Sequence, residues 1–318
     1  MDRKSIIFSP ARPGFGLPAV FLVCALLAAA AGCSSLPHRT GNDTSPSGSG
    51  FTPGDIISVE QGKPVSFNEM IEDLLQARVV YAAESHASPR HHEMQLRILS
   101  ALYTFSPDLA VGMEMFSRPY QELLDLWSAG KLDREEFISR SHWYANWKYD
   151  YGLYEDILDF VRENSIPVYA LNIAFHVPPK IAAGGIESLP AEDRARLPEK
   201  IDLGRKKHRN YVREMFEQHD FGSRPMKFEH FYQAQCVWDE VMAETIARHL
   251  GKGPIVIFAG KGHISNDFAI PERVHDRTGA SYRTVIPVTP SEAGDTDNAD
   301  YLWITDSPGA QPGPHSTP

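Results

Sequence analysis

Four short stretches of the chain are apolar without alternation, the first of them after an opening arginine: residues 78–83 (RVVYAA), 110–113 (AVGM), 167–171 (PVYAL) and 254–259 (PIVIFA). A strand with one wet face alternates apolar and polar residues, whereas a strand covered on both faces has no reason to, so these runs predict a parallel sheet between layers of helix. Helical periodicity fills the intervals. Residues 89–102 open on a proline and carry Met94, Ile98 and Leu102 at spacing four, and 154–163 and 228–250 are likewise periodic. Strand and helix in alternation predict an α/β fold, a mostly parallel sheet flanked by helices with right-handed crossovers. A fifth strand is expected over 282–288 and an edge strand over 301–305. Residues 119–151 and 190–220 carry helical patterns without strands, which predicts a smaller helical subdomain.

The ends of the chain have a different character. Arg3, Lys4 and Arg12 flank an apolar run at 17–31 (LPAVFLVCALLAAAA), which is short for a membrane span and reads as a signal peptide over residues 1–32. The run ends in Ala30-Ala31-Gly32-Cys33, which resembles the lipobox of bacterial lipoproteins, although Ala30 stands where leucine is preferred. Cys33 is therefore the expected site of lipidation (diacylglycerol and palmitate), and ordinary cleavage leaving a free thiol is the plainer alternative. Ser34 and Ser35, with no aspartate beside the cysteine, are compatible with sorting to the bacterial outer membrane, facing the periplasm. Residues 33–54 are rich in Ser, Gly, Pro and Thr and are expected to form a flexible tether, and 291–318 a largely disordered tail. The fold is then expected within 55–290. Loss of residues 1–32 removes one acid and three bases and leaves 40 acidic against 28 basic residues, a poor match for nucleic acid. With Cys24 cleaved away and Cys33 acylated, Cys236 stands alone and no intrachain disulfide is expected.

In open parallel sheets ligands bind beyond the carboxyl ends of the strands. Each apolar run here delivers a polar group at that point: Glu84, Ser85 and His86 after the first, Glu114 after the second, Asn172 after the third, and Gly260, Lys261, Gly262 and His263 after the fourth. If the strands are neighbours, Glu84, His86, Glu114 and His263 converge on one crevice, where they could hold a divalent metal through N and O donors or act as acid and base. Taken singly, a glutamate after a strand is usually a cap and a histidine is usually satisfied by hydrogen bonds. Their coincidence at successive strand ends is what argues for a site. Asn172 is the weakest member, since its amide could simply shape a turn. Adjacent His91 and His92 cannot both face one ligand from a regular helix, so one of them is expected to be structural. On the long helix over 228–250, Gln235 and Asp239 share a face at spacing four and either reach the crevice or pair along the helix.

The segment Ala83-Glu84-Ser85-His86, followed by Pro89, His91-His92 and Gln95, resembles the GExH…P-x-HH-x-x-Q pattern of the ChaN-like haem-binding lipoproteins. Further blocks agree in order: Val111 to Phe116 with Gln121; Trp143 to Tyr154; Ile166 to Asn172; Gln235, Trp238, Asp239, Glu240 and Met242; and Gly260-Lys261-Gly262-His263 with Ile270-Pro271-Glu272-Arg273. The resemblance covers residues 55–290, and Ala83 departs from it by replacing a glycine. It implies an α/β fold with a small helical domain, attachment to the bacterial outer membrane, haem as cofactor and a part in iron uptake, with an outer-membrane haem receptor and a second copy of the chain as candidate partners. More distantly the pattern resembles erythromycin esterases and Tiki-type metal-dependent proteases, which implies the rival reading of a metal-dependent hydrolase, peptidase or esterase, with Glu84, His86, Glu114 and His263 as metal and catalytic residues. Absence of C-x-x-C-H excludes covalent haem attachment. The aromatic cluster Trp143, Tyr144, Trp147, Tyr149, Tyr151 and Tyr154 would supply porphyrin contacts or a subdomain core, and Tyr154 is the tyrosine expected as haem ligand.

Overall fold

The computed structural model describes residues 50–218, 226–265, 268–294 and 299–306. The signal peptide, Cys33, most of the tether and the tail beyond Asp306 lie outside the described residues.

Among the described residues eight strands form one sheet: β1 (Ile56–Ser58), β2 (Lys63–Val65), β3 (Val79–Glu84), β4 (Ala110–Ser117), β5 (Val168–Asn172), β6 (Ile255–Gly260), β7 (Tyr282–Val288) and β8 (Tyr301–Ile304), in the order β2-β1-β8-β7-β3-β6-β4-β5. From β8 to β5 every pairing is parallel, and only the β1–β2 hairpin is antiparallel to its neighbours. The four apolar runs are β3 to β6, side by side. Every residue of β3 and β6 is buried, which is why these strands do not alternate.

The strand expected at an edge is not there. β8 lies inside the sheet, parallel to β7 and antiparallel to β1, so the fold continues past 290 through part of the expected tail. The edge is instead β2, three residues long and mostly exposed, with Pro64 in its middle. A strand so short and polar leaves no periodicity to read, and such edges resist unwanted strand pairing.

Helices cover both faces. They are α1 (Phe67–Leu74), α2 (Pro89–Phe105), α3 (Gln121–Ser128), α4 (Arg134–Arg140), α5 (Trp143–Asn146), α6 (Glu155–Glu163), α7 (Val177–Gly184), α8 (Ala191–Arg194), α9 (Lys206–Gln218), α10 (Phe228–Arg248), α11 (Lys261–Ile264) and α12 (Ile270–Thr278). Val80, Ala82, Val256 and Phe258 face one apolar cluster with α1 to α6, while Val79, Tyr81, Ile255 and Ile257 face the other, with α7, α10 and α12. The two helix-rich stretches therefore pack on opposite sides of the sheet: α3 to α5 in the first cluster, and α9 against α10, where Val212 meets Phe231, Tyr232 and Cys236. At the β5 edge the side chain of Gln121 donates to the carbonyl of Val168 at 2.8 Å and accepts from the N–H of Ala170 at 2.9 Å, completing hydrogen bonds a further strand would make. Among the described residues no helix is long and apolar enough to cross a membrane.

Candidate functional site

The carboxyl ends of β3, β6 and β4 lie side by side and bring Glu84, His86, Glu114 and His263 to one crevice. Two features of the backbone make room. The β4–β5 register slips between Met113 and Ser117, a bulge that frees Glu114 from regular pairing. Gly260 ends β6 where a Cβ would stand 2.9 Å from the His86 ring, so only glycine lets that imidazole lie over the strand end.

One half of the crevice is built around Glu84, which is 1% exposed. Its Oε1 accepts from His86 Nδ1 at 2.8 Å and from the Tyr154 hydroxyl at 2.6 Å, and its Oε2 from Gln95 Nε2 at 2.8 Å. His92 Nδ1 lies 3.5 Å from the same Oε2. Burial alone would raise this carboxyl, but the His92 and His86 imidazoles and the Tyr154 hydroxyl outweigh it and hold it down at about 2. His86 is raised in turn: burial opposes its charge, and Glu114 and Glu84 prevail. The loop is clamped from below, since the His86 carbonyl accepts from His92 Nε2 at 3.1 Å.

The other half is built around Asp239 of α10. Its Oδ1 accepts from His263 Nδ1 at 2.7 Å, and His208 Nε2 lies 3.2 Å from Oδ2. His263 Nε2 points back to Glu114 Oε1 at 3.5 Å, and Glu114 Oε2 accepts from the Gly260 N–H at 2.7 Å. Despite burial, Glu114 and Asp239 lift His263 to about 9. Burial and then the neighbouring cations push His208, by contrast, down to about 4 despite Asp239. Glu114 thus stands between two imidazoles, each backed by a carboxylate, an arrangement suited to acid/base chemistry or to presenting nitrogen donors.

Aromatic side chains wall the crevice. Trp147 and Tyr149 lie with ring centroids 4.7 and 5.2 Å from His86, Phe175 lies 6.3 Å from Trp147, and Trp238 lies 6.1 Å from His263.

The family model described as haem-binding uptake, Tiki superfamily, ChaN matches residues 70–274, a span that contains every crevice residue named above. The chain belongs to the ChaN family. Among solved structures, the ChaN of Campylobacter jejuni, described with cofacial haem binding, superimposes with a TM-score of 0.65 at 18% identity over 80% of this chain and 97% of that one. An erythromycin esterase, EreC, is more distant: TM-score 0.43 and 13% identity over 74% of this chain and 77% of that one. The chloroplastic protein RETICULATA-RELATED 5 of Arabidopsis thaliana is 24% identical over 74% of this chain, which spans only 35% of that relative's length.

The structure separates the expected ChaN site residues. Glu84, His86, Glu114, His263 and Asp239 meet. They bond chiefly to one another, and among the described residues no group of three or more His, Cys, Asp or Glu side chains is disposed to hold a metal ion. His91 is structural: its Nδ1 accepts from the Ser85 N–H at 2.8 Å and its Nε2 meets Thr305 Oγ1 at 3.3 Å. His92 supports Glu84. Asn172 ties two strand ends, donating to the Glu114 carbonyl at 3.1 Å. Lys261 turns away and donates to the Pro287 carbonyl at 3.2 Å. Gln235 is half-buried and has no hydrogen bond to the crevice residues.

Tyr154 requires correction. It is fully buried, its hydroxyl is spent on Glu84, and burial followed by the Glu84 charge raises it well above the usual phenol range. A haem ligand must present its oxygen to the porphyrin face, so Tyr154 is a support for Glu84 and Tyr149 is the tyrosine at the crevice wall. His208 and Arg273 were not singled out as site residues by sequence. Arg273 stood within a matching block, but nothing in its spacing indicated its partner.

Proposed function

We propose that this protein is a haem-binding lipoprotein of the bacterial outer membrane that serves iron uptake. The observation that carries the reading is the family match across 70–274, because that span encloses the whole crevice. The donor set suits haem. A porphyrin needs apolar walls and a nitrogen or oxygen donor at its iron, and Trp147, Tyr149, Phe175 and Trp238 stand around two imidazoles and a phenol. Bound haem would supply the iron to be carried. Tyr149 and His263 would hold it, His263 once its Nε2 gives up the proton that Glu114 and Asp239 favour, while Glu84 and Asp239 fix the imidazoles. Burial, Glu114 and Glu84 keep the Tyr149 phenol protonated, a bias that a ferric ion would reverse.

Titration of the purified full-length chain with ferric haem tests this. A saturable Soret shift is expected, weakened about 10-fold in Tyr149→Phe and His263→Gln; binding no tighter than to an unrelated acidic protein would overturn the reading. For the anchor, Cys33→Ser should move the protein from the membrane to the soluble fraction, and unchanged fractionation would overturn lipidation.

The paired dyads Glu84–His86 and Asp239–His263 around Glu114 favour a second reading, hydrolysis at the same crevice with or without a divalent metal. Elemental analysis after incubation with zinc, manganese or cobalt tests its metal-dependent form, and stoichiometric metal lost in Glu114→Ala and His263→Ala would support it.

A further inference from the structure

Behind His263 lies a buried chain of polar groups contributed by three helices: Asp239 of α10, His208 of α9 and Arg273 of α12. All three side chains are almost wholly buried. A guanidinium has only hydrogens to offer. Arg273 Nη2 stands 3.1 Å from His208 Nδ1, so that nitrogen must accept and the ring proton sits on Nε2. From there it faces Asp239 Oδ2 at 3.2 Å. The other oxygen of Asp239 meets His263 Nδ1 at 2.7 Å, so that nitrogen carries hydrogen and Nε2 is the atom left toward Glu114 and the crevice.

Arg273 is itself fixed. Its Nε donates to Glu240 Oε1 at 3.1 Å and its Nη1 to the Ala269 carbonyl at 3.0 Å, and Glu240 Oε1 also accepts the Asp202 N–H at 3.0 Å. The rings of Tyr232 and Phe268 confine His208, with centroids at 5.5 and 5.6 Å, and Cys236 Sγ lies 3.8 Å from its Nδ1.

We propose that His208 and Arg273 are positioning residues for His263: Arg273 dictates which nitrogen of His208 bears the proton, His208 and His263 share the two oxygens of Asp239, and His263 is thereby held with Nε2 directed into the crevice. A guanidinium does not give up its proton in a protein. The chain is therefore an orienting strut with a closed end, and protons reach or leave His263 through Nε2 alone. Outer partners of this kind fix the tautomer and ring orientation of a working imidazole. That the crevice is where haem binds rests on the reading above; the orientation of His263 does not.

The test uses the full-length protein, free of haem, with ring-15N histidine. In the wild type His208 is expected as the neutral ring protonated on Nε2, and His263 is expected to show a slowly exchanging Nδ1 proton. Protonation of His208 on Nδ1 in the wild type would overturn the proposal without recourse to any variant. His208→Phe keeps a ring of similar shape and removes the donor, so the slow His263 proton should disappear, while His208→Gln, which restores an N–H toward Asp239, should bring it back. A slow proton that survives in His208→Phe would equally overturn the proposal. Haem affinity, measured in parallel, should fall about 10-fold or more in His208→Phe and recover in His208→Gln. A wild type that binds no haem while its histidine spectrum is as described would defeat the functional reading and leave the positioning role standing.

Discussion

Glu84 and His86 stand two residues apart at the end of one strand, whereas Asp239 and His263 are separated by 24 residues and come from a long helix and the turn after β6. Both pairs end as a carboxylate hydrogen-bonded to an imidazole Nδ1. The first is wired by its own strand and by α2, whose Gln95 and His92 reach back to Glu84 within one short segment. The second exists only when α10 has packed against the end of β6, with α9 and α12 backing it through His208 and Arg273. Disturbing the helix layer on the α10 side should therefore disable one imidazole and spare the other, so the crevice can lose half its chemistry without losing its frame.

The largest expected effect tests how far the first half depends on its hub. Glu84→Ala takes the charged partner from the Tyr154 hydroxyl, the Gln95 amide and two imidazoles, and should cost about 3–5 kcal/mol in denaturant unfolding. Glu114→Ala, which gives up a single close backbone hydrogen bond, should cost less than half as much. Equal losses would break the comparison.

Proton linkage separates the halves further. His263 is raised in the folded chain, to about 9 from 6.5, so its contribution is complete below pH 6.5 and lost as pH rises through 9. Glu84 is depressed, to about 2 from 4.5, so its contribution is complete above pH 4.5 and lost as pH falls through 2. His208, lowered to about 4, adds a loss as pH falls from 6.5. Stability measured against pH should show an alkaline limb that His263→Gln flattens and an acid limb that it leaves in place. An alkaline limb unchanged in that variant would show that the second half does not hold its proton as described.

Smaller effects sharpen the assignment of the aromatic wall. Tyr154→Phe should cost about 1.5–3 kcal/mol of stability, the range for a hydrogen bond to a charged group, with the haem spectrum unaltered, and Tyr149→Phe the reverse, a changed spectrum on an unchanged melting curve. Least of all, Lys261→Ala should stay within about 0.5 kcal/mol and bind haem as the wild type does, because its ammonium faces the β7 end and Glu292.

The same contrast explains what could be read in advance. β3 to β6 are legible as apolar runs, and Glu84 with His86, Glu114 and His263 fell in the crevice because a parallel sheet aligns its carboxyl ends on one rim, whereas Asn172 ties two strand ends and Lys261 turns away. Glu84 and His86 were legible from their place at a strand end, while His92 and Gln95 enter the site only through the resemblance, and it is the return of α2 that brings them to Glu84. His208 was not legible, lying in the charged stretch Arg205-Lys206-Lys207-His208-Arg209, where a buried ring looks like one more solvated cation. Arg273 could not be paired with it, since 65 residues separate them and only the packing of both α9 and α12 against α10 closes that gap. Tyr154 marks the same limit: an aromatic cluster in the sequence shows that rings gather, and only the packing shows that this hydroxyl is taken by Glu84.

The place of β8 sets an order of assembly. As the chain leaves the ribosome, β4 can meet β5, β6 can then insert between β4 and β3 to close the crevice rim, and β7 and β8 extend the sheet outward. β1 and β2 emerge before any of these and have only each other, and a hairpin of three-residue strands does not hold in water by itself. Their seat is the free side of β8, so the first strands to be synthesised wait for the last, and an interruption of translation between the end of β7 and residue 301 yields a chain with its crevice residues present and its leading hairpin undocked and open to proteases.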